Sequence, residues 1–106
     1  MILAKNLKTV KFFLIESFSL KTLIIAEIAS NWEGSLVKAK KLIQESKKAG
    51  ANAVKFQMWR ALDLYSDKHP EWKIIKKSEL TFDKAKKIKK MADKEKIEFF
   101  CSAFYP

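Results

Sequence analysis

The sequence predicts an α/β fold of parallel strands joined by helical crossovers. Three observations predict it. Short runs rich in aliphatic and aromatic residues begin at Leu23, Ala53 and Ile97, as buried strands do. Lysine-rich segments with apolar residues at helical spacing lie between them. Only residues 50–52 separate the first of those helices from the following strand, a length typical of αβ connections in parallel sheets. The chain has 106 residues, 48% hydrophobic and 32% charged, which is enough apolar material for one small domain and too little for two.

Residues 1–22 hold four lysines and one glutamate. They read as an N-terminal extension or early strand, because Glu16 interrupts the apolar run at 12–15 and no small-residue cleavage site follows, as a signal peptide requires. The first βα unit starts with a strand over 23–28 that ends in the polar cluster Ser30, Asn31, Glu33 and Gly34. Ser35 then serves as a helix N-cap. Leu36, Ala39, Leu42, Ile43, Ser46 and Ala49 form the inner stripe, and Gly50 stands where a left-handed C-terminal residue is wanted. The second strand covers 53–58. Residues 59–80, with Asp63, Tyr65, His69, Pro70 and Trp72, exceed an ordinary connection and leave the C-terminal end of that strand, so they are expected to be a lid or binding loop over it. Thr81 caps a second helix with Phe82, Ala85, Ile88, Met91 and Ala92 inward, and a third strand follows over 97–102. Seven lysines between Lys84 and Lys96 read as a solvated helix face.

Parallel βαβ units cross over right-handed and cover the sheet with helices, so two architectures remain: an open doubly wound sheet or part of a (β/α)₈ barrel. A whole barrel takes roughly 250 residues, and this chain would supply about three of its eight strands.

Composition removes several functions. No uninterrupted apolar run exceeds four residues, so no segment reads as a membrane span. Cys101 is the only cysteine and His69 the only histidine, which leaves neither a disulfide framework nor a zinc module and fits a reducing cytoplasm. The net charge of +10 attracts phosphate-bearing partners in general. Because Arg60 is the only arginine, sequence-specific nucleic-acid recognition is disfavoured.

Strand alternation selects the chemistry. Glu27 shares a face with Leu23 and Ile25, Lys55 and Gln57 share one with Ala53, and Ser102 shares one with Phe100. All four polar residues lie near strand C-terminal ends, where ligands bind in parallel α/β folds. A carboxylate, an ammonium, an amide and a hydroxyl at one mouth can hold an anion and move a proton. Glu27, inside an apolar strand, is the least dispensable, since an ionisable group there is costly without a partner. Cys101 reads as an inert small residue and His69 as an exposed loop residue.

The stretches Ile24-Ile25-Ala26-Glu27-Ile28, Asn31-Trp32-Glu33-Gly34-Ser35, Ala49-Gly50-Ala51-Asn52-Ala53-Val54-Lys55-Phe56-Gln57 and Ile97-Glu98-Phe99-Phe100-Cys101-Ser102-Ala103-Phe104 closely resemble, in order and spacing, the start of the sialic acid synthase family, which includes N-acetylneuraminate, legionaminic and pseudaminic acid synthases. The resemblance implies that residues 23–106 are the truncated N-terminal βαβαβ portion of a (β/α)₈ TIM barrel. It also implies a C–C bond-forming transferase that condenses phosphoenolpyruvate with an N-acylhexosamine such as N-acetylmannosamine to a nonulosonic acid, releasing phosphate. By the same resemblance Glu27 is the strand-one acid at the sugar and proton-transfer region, Lys55 contacts phosphoenolpyruvate, Gln57 is a neighbouring amide, Ser102 is the hydroxyl at the phosphoenolpyruvate end, and Phe104 is the aromatic residue after it.

The chain departs from the family pattern at Trp32, where histidine is usual, and at Ala103, where proline is usual. The resemblance implies a divalent metal, Mn²⁺ or Mg²⁺, held by later histidines that this sequence does not contain, and the polypeptide is therefore expected to be inactive alone. Two other readings compete: a small basic module that binds polyanions or nucleic acid through the lysine-rich second helix, and a split-barrel subunit whose open sheet edges associate with another chain.

Overall fold

The computed structural model describes residues 22–106. The expected extension over 1–22 lies outside these residues except for Thr22. The elements run β1 (Ile25–Ala29), α1 (Leu36–Lys48), β2 (Ala53–Met58), α2 (Ala61–Leu64), α3 (Trp72–Lys77), α4 (Phe82–Lys94) and β3 (Glu98–Ala103). The sheet order is β1-β2-β3 and both pairings are parallel. This is the βαβαβ portion of a barrel rather than a doubly wound sheet covered on both faces, because α1 and α4 back one face only and Ile25 and Phe100 stay exposed on the other.

Both long helices start where the sequence signals it. The Ser35 hydroxyl accepts the Lys38 amide at 3.2 Å, and the Thr81 hydroxyl accepts the Lys84 amide at 3.3 Å. Each cap satisfies one orphan N–H and stabilises its helix by about 1 kcal/mol. Gly50 follows the end of α1 at φ +94°. The inner faces of α1 (Ala39, Ile43) and α4 (Ala85, Ile88, Ala92) pack with Val54 and Phe56 of β2. Phe56 takes Trp32 edge-on at 6.5 Å and Phe99 at 5.6 Å between ring centroids.

Three details differ from the sequence reading. First, β1 begins at Ile25 rather than Leu23. Leu23 and Ile24 are exposed, although the Ile24 carbonyl accepts the Asn52 amide at 2.8 Å and its amide donates to Asn52 Oδ1 at 2.8 Å. Second, Phe82 and Ala49 are not inward: Phe82 is 70% exposed, because as the first helical residue it lies on the flank of α4 away from α1, and Ala49 is exposed as the C-cap of α1. Third, residues 59–80, expected as a lid or binding loop, are not one continuous loop. They contain α2 and α3 and are anchored by buried Trp59, Ala61 and Leu80. A second anchor is Glu79, whose carboxylate accepts the Ala61 amide at 2.8 Å and the Lys76 ammonium at 3.1 Å. The turn after β1 presses on α3: a Cβ on Gly34, at φ +75°, would stand 2.1 Å from the Lys77 carbonyl oxygen.

Candidate functional site

The sheet positions the predicted polar residues by register. Glu27 lies beside Lys55, Lys55 beside Phe100, and Gln57 beside Ser102. Alternation then puts Glu27, Lys55, Gln57 and Ser102 on the face that α1 and α4 leave uncovered. That face is the interior of a (β/α)₈ barrel. Glu27 and Lys55 meet directly: the ammonium donates to Glu27 Oε1 at 3.1 Å. Gln57 and Ser102 sit one pleat nearer the C-terminal edge and are half-buried. Phe104 stands past the end of β3, where its amide donates to the Met58 carbonyl at 3.0 Å and its side chain is exposed.

The Glu27–Lys55 pair is a weak lock. The two side chains are 46% and 27% exposed, and a pair so open to water contributes roughly 0–1 kcal/mol. An incoming anion can therefore take the Lys55 ammonium at small cost, and its charge-assisted hydrogen bonds replace those lost. Glu27 is then free to accept or return a proton next to that anion.

Sequence reasoning missed a second group on the same rim. Arg60, two residues past β2, lies 4.2 Å above the Tyr105 ring centroid, and its Nε donates to Asp63 Oδ2 at 2.8 Å. Trp59 Nε1 donates to Ser30 Oγ at 3.0 Å, tying the ends of β1 and β2 together. The available signal was the position of the single arginine two residues after a strand. Trp32, at the position where the resemblance expects histidine, is fully buried and its Nε1 has no hydrogen-bond partner, so it acts as core and not as a group facing the mouth.

Residues 42–106 match the sequence model of the NeuB family. This chain belongs to the NeuB family. Over 78 residues it is 37% identical to an uncharacterized protein of Methanocaldococcus jannaschii, covering 74% of this chain and 23% of that one. Over 50 residues it is 50% identical to a pseudaminic acid synthase of Campylobacter jejuni, covering 45% of this chain and 15% of that enzyme. The structure of the N-acetylneuraminic acid (sialic acid) synthetase of Leptospira borgpetersenii serovar Hardjo-bovis, in complex with citrate, superposes with a TM-score of 0.70 at 30% identity, over 78% of this chain and 29% of that one. The NeuB chain thus spans less than a quarter of the length of these curated relatives.

A divalent metal does not fit the residues described. No three His, Cys, Asp or Glu side chains among them cluster into a donor set, and His69 turns its Nδ1 to the Glu71 amide at 3.1 Å. Among the same residues no helix is long and apolar enough to cross a membrane.

Proposed function

We propose that this NeuB chain supplies the first three strands of the active-site mouth of a phosphoenolpyruvate-dependent synthase that extends an N-acylhexosamine to a nonulosonic acid. The ion pair of Glu27 and Lys55 on the uncovered face carries the reading, because it sets a proton-transfer group beside an anion-binding one with neither committed to the core. In this reading Lys55 binds the phosphate or carboxylate of phosphoenolpyruvate. Ser102 adds a hydroxyl donor and Gln57 orients the substrates from the adjacent strand. Phe104 offers an aromatic surface at the rim. Glu27 passes a proton to the aldehyde oxygen, which becomes a hydroxyl as the enol carbon attacks; water then adds at the phosphate-bearing carbon of phosphoenolpyruvate, and phosphate leaves as the keto group forms.

Three strands enclose no substrate, so the 106 residues alone are expected to release no phosphate. The test reconstitutes the mouth. The chain is co-expressed with the remaining barrel units of the M. jannaschii relative and assayed for phosphate release from phosphoenolpyruvate with and without N-acetylmannosamine. Release that requires the sugar and is abolished by Glu27→Gln and by Lys55→Ala supports the reading; release that survives both substitutions refutes it.

A further inference from the structure

We propose that the outer face of α1 and α4 binds the phosphate backbone of a nucleic-acid duplex without reading its sequence. The inference uses no group at the mouth and does not depend on the chemistry proposed above. Positive charge is concentrated in this helical layer. α1 carries five lysines against Glu45, and residues 82–96 carry seven against Asp83, Asp93 and Glu95, so the two segments hold eight of the ten net charges of the chain. A groove of about 400 Å³ runs between the helices on the side opposite their buried residues, with Lys40 on one wall and Lys90 and Lys94 on the other. Helical spacing lengthens both walls: Lys47 stands seven residues after Lys40, and Lys87 three before Lys90. All five ammonium groups belong to exposed residues.

These lysines are not spent on neighbouring acids. Glu45 takes Lys48, and Asp93 takes Lys89. Glu95, the carboxylate lining the groove, accepts the Gln44 amide at 3.1 Å, and the Lys47 ammonium donates to the Lys96 carbonyl at 3.0 Å, which leaves its charge unanswered. No ion pair among the described residues holds Lys40, Lys87, Lys90 or Lys94. A dense line of phosphates relieves the repulsion among them and gives up its own condensed counterions in return. The residue types narrow the partner further. α1 has no aromatic side chain and Phe82 of α4 lies on the other flank, so the face lacks the stacking platforms that single strands need. Neither helix has an arginine for bidentate contact with a base edge. A flat bilayer would meet only the helix ridges, whereas a duplex backbone is a narrow ridge of charge that enters the groove.

The full chain is titrated into fluorescein-labelled 20-base-pair DNA duplexes of two unrelated sequences, into one of their single strands, and into phosphatidylserine vesicles at the same phosphate concentration. Anisotropy follows the nucleic acids and co-sedimentation the vesicles. Both duplexes are expected to bind alike and more tightly than the single strand or the vesicles. With five lysines each meeting a phosphate, the slope of log affinity against log salt is expected near about −4.5, a loss of about 500-fold between roughly 50 and 200 mM salt. Lys87→Gln with Lys90→Gln and Lys94→Gln keeps good helix formers in α4 and is expected to bring the slope to about −2. Lys68→Gln with Lys73→Gln and Lys77→Gln removes the same charge from the insertion and is expected to leave the slope as it was; far-UV circular dichroism checks that both variants fold. Equal losses in the two triple variants would show a response to net charge alone and overturn the assignment. So would absence of binding at the lower salt, tighter binding to the vesicles or the single strand, or discrimination of more than tenfold between the two duplexes. No readout uses phosphoenolpyruvate or sugar, so failure of phosphate release in the reconstituted barrel leaves this result standing, and the reverse holds equally.

Discussion

Replacing Gly34 with alanine tests how the insertion after β2 is held against the turn after β1. The added methyl would stand 2.1 Å from the Lys77 carbonyl oxygen and 2.7 Å from its carbon, both backbone atoms, so the neighbour cannot rotate away. Reaching ordinary contact at about 3.4 Å requires the end of α3 to retreat by more than an ångström from a packed turn. Adopting φ +75° costs alanine a further 1–2 kcal/mol or so. Together the expected loss is about 2–4 kcal/mol, or roughly 10–20 °C in Tm for a domain of this size. Gly50→Ala is the internal control. It has φ +94° but no atom within 4 Å of the new Cβ, so it carries the conformational cost alone, about 1–2 kcal/mol. Urea denaturation of both variants followed by tryptophan fluorescence measures the difference. Variants that agree within about 0.5 kcal/mol would show that α3 does not press on the turn, and the account of how the insertion is anchored there would fall.

Other substitutions separate stability from chemistry. Glu27→Gln is expected to move the urea midpoint by less than the equivalent of about 1 kcal/mol, because the ion pair it removes is open to water, while abolishing phosphate release in the reconstituted barrel. Thr81→Ala removes the cap of α4 and should cost about 1 kcal/mol with activity affected only through folding, read by the same titration. Burial pushes the Glu79 carboxyl up, but the Ala61 amide and the Lys76 ammonium outweigh it and hold it below its ordinary 4.5. Its contribution is thus present above pH 4.5 and lost as the pH falls through the lowered folded value, so urea midpoints should drop more steeply on acidification for the wild type than for Glu79→Gln. Burial also pushes the Cys101 thiol up, so it should alkylate more slowly at pH 8 than a free cysteine does.

The sequence made the strands and long helices legible because each carries a local signal that tertiary packing did not contradict. Ser35 and Thr81 cap as read, and the short connection between α1 and β2 leads into a parallel strand. The two short helices were not legible: α2 has four residues and α3 six, neither has a side-chain cap, and α3 buries no residue fully. Their stability comes from distant partners such as Glu79, which no window of sequence reveals. Phe82 was misplaced because spacing defines a stripe along the helix but not which flank a neighbour covers. At the mouth, strand alternation was sufficient to group Glu27 with Lys55, whereas Arg60 and Tyr105 meet from segments beyond the strands, where no periodicity applies.

In β1 the register slips between Glu27 and Ala29, with Ala29 at φ +53° and opposite Phe56. The slip accommodates one surplus residue: Ile28 faces the core in step with Ala26, and Ala29 beyond it is re-aimed to stand opposite Phe56. Its consequence is mechanical insulation. A backbone shift imposed beyond this joint, such as the one a methyl on Gly34 would force, is taken up before it reaches the acid, and Glu27 keeps its place opposite Lys55.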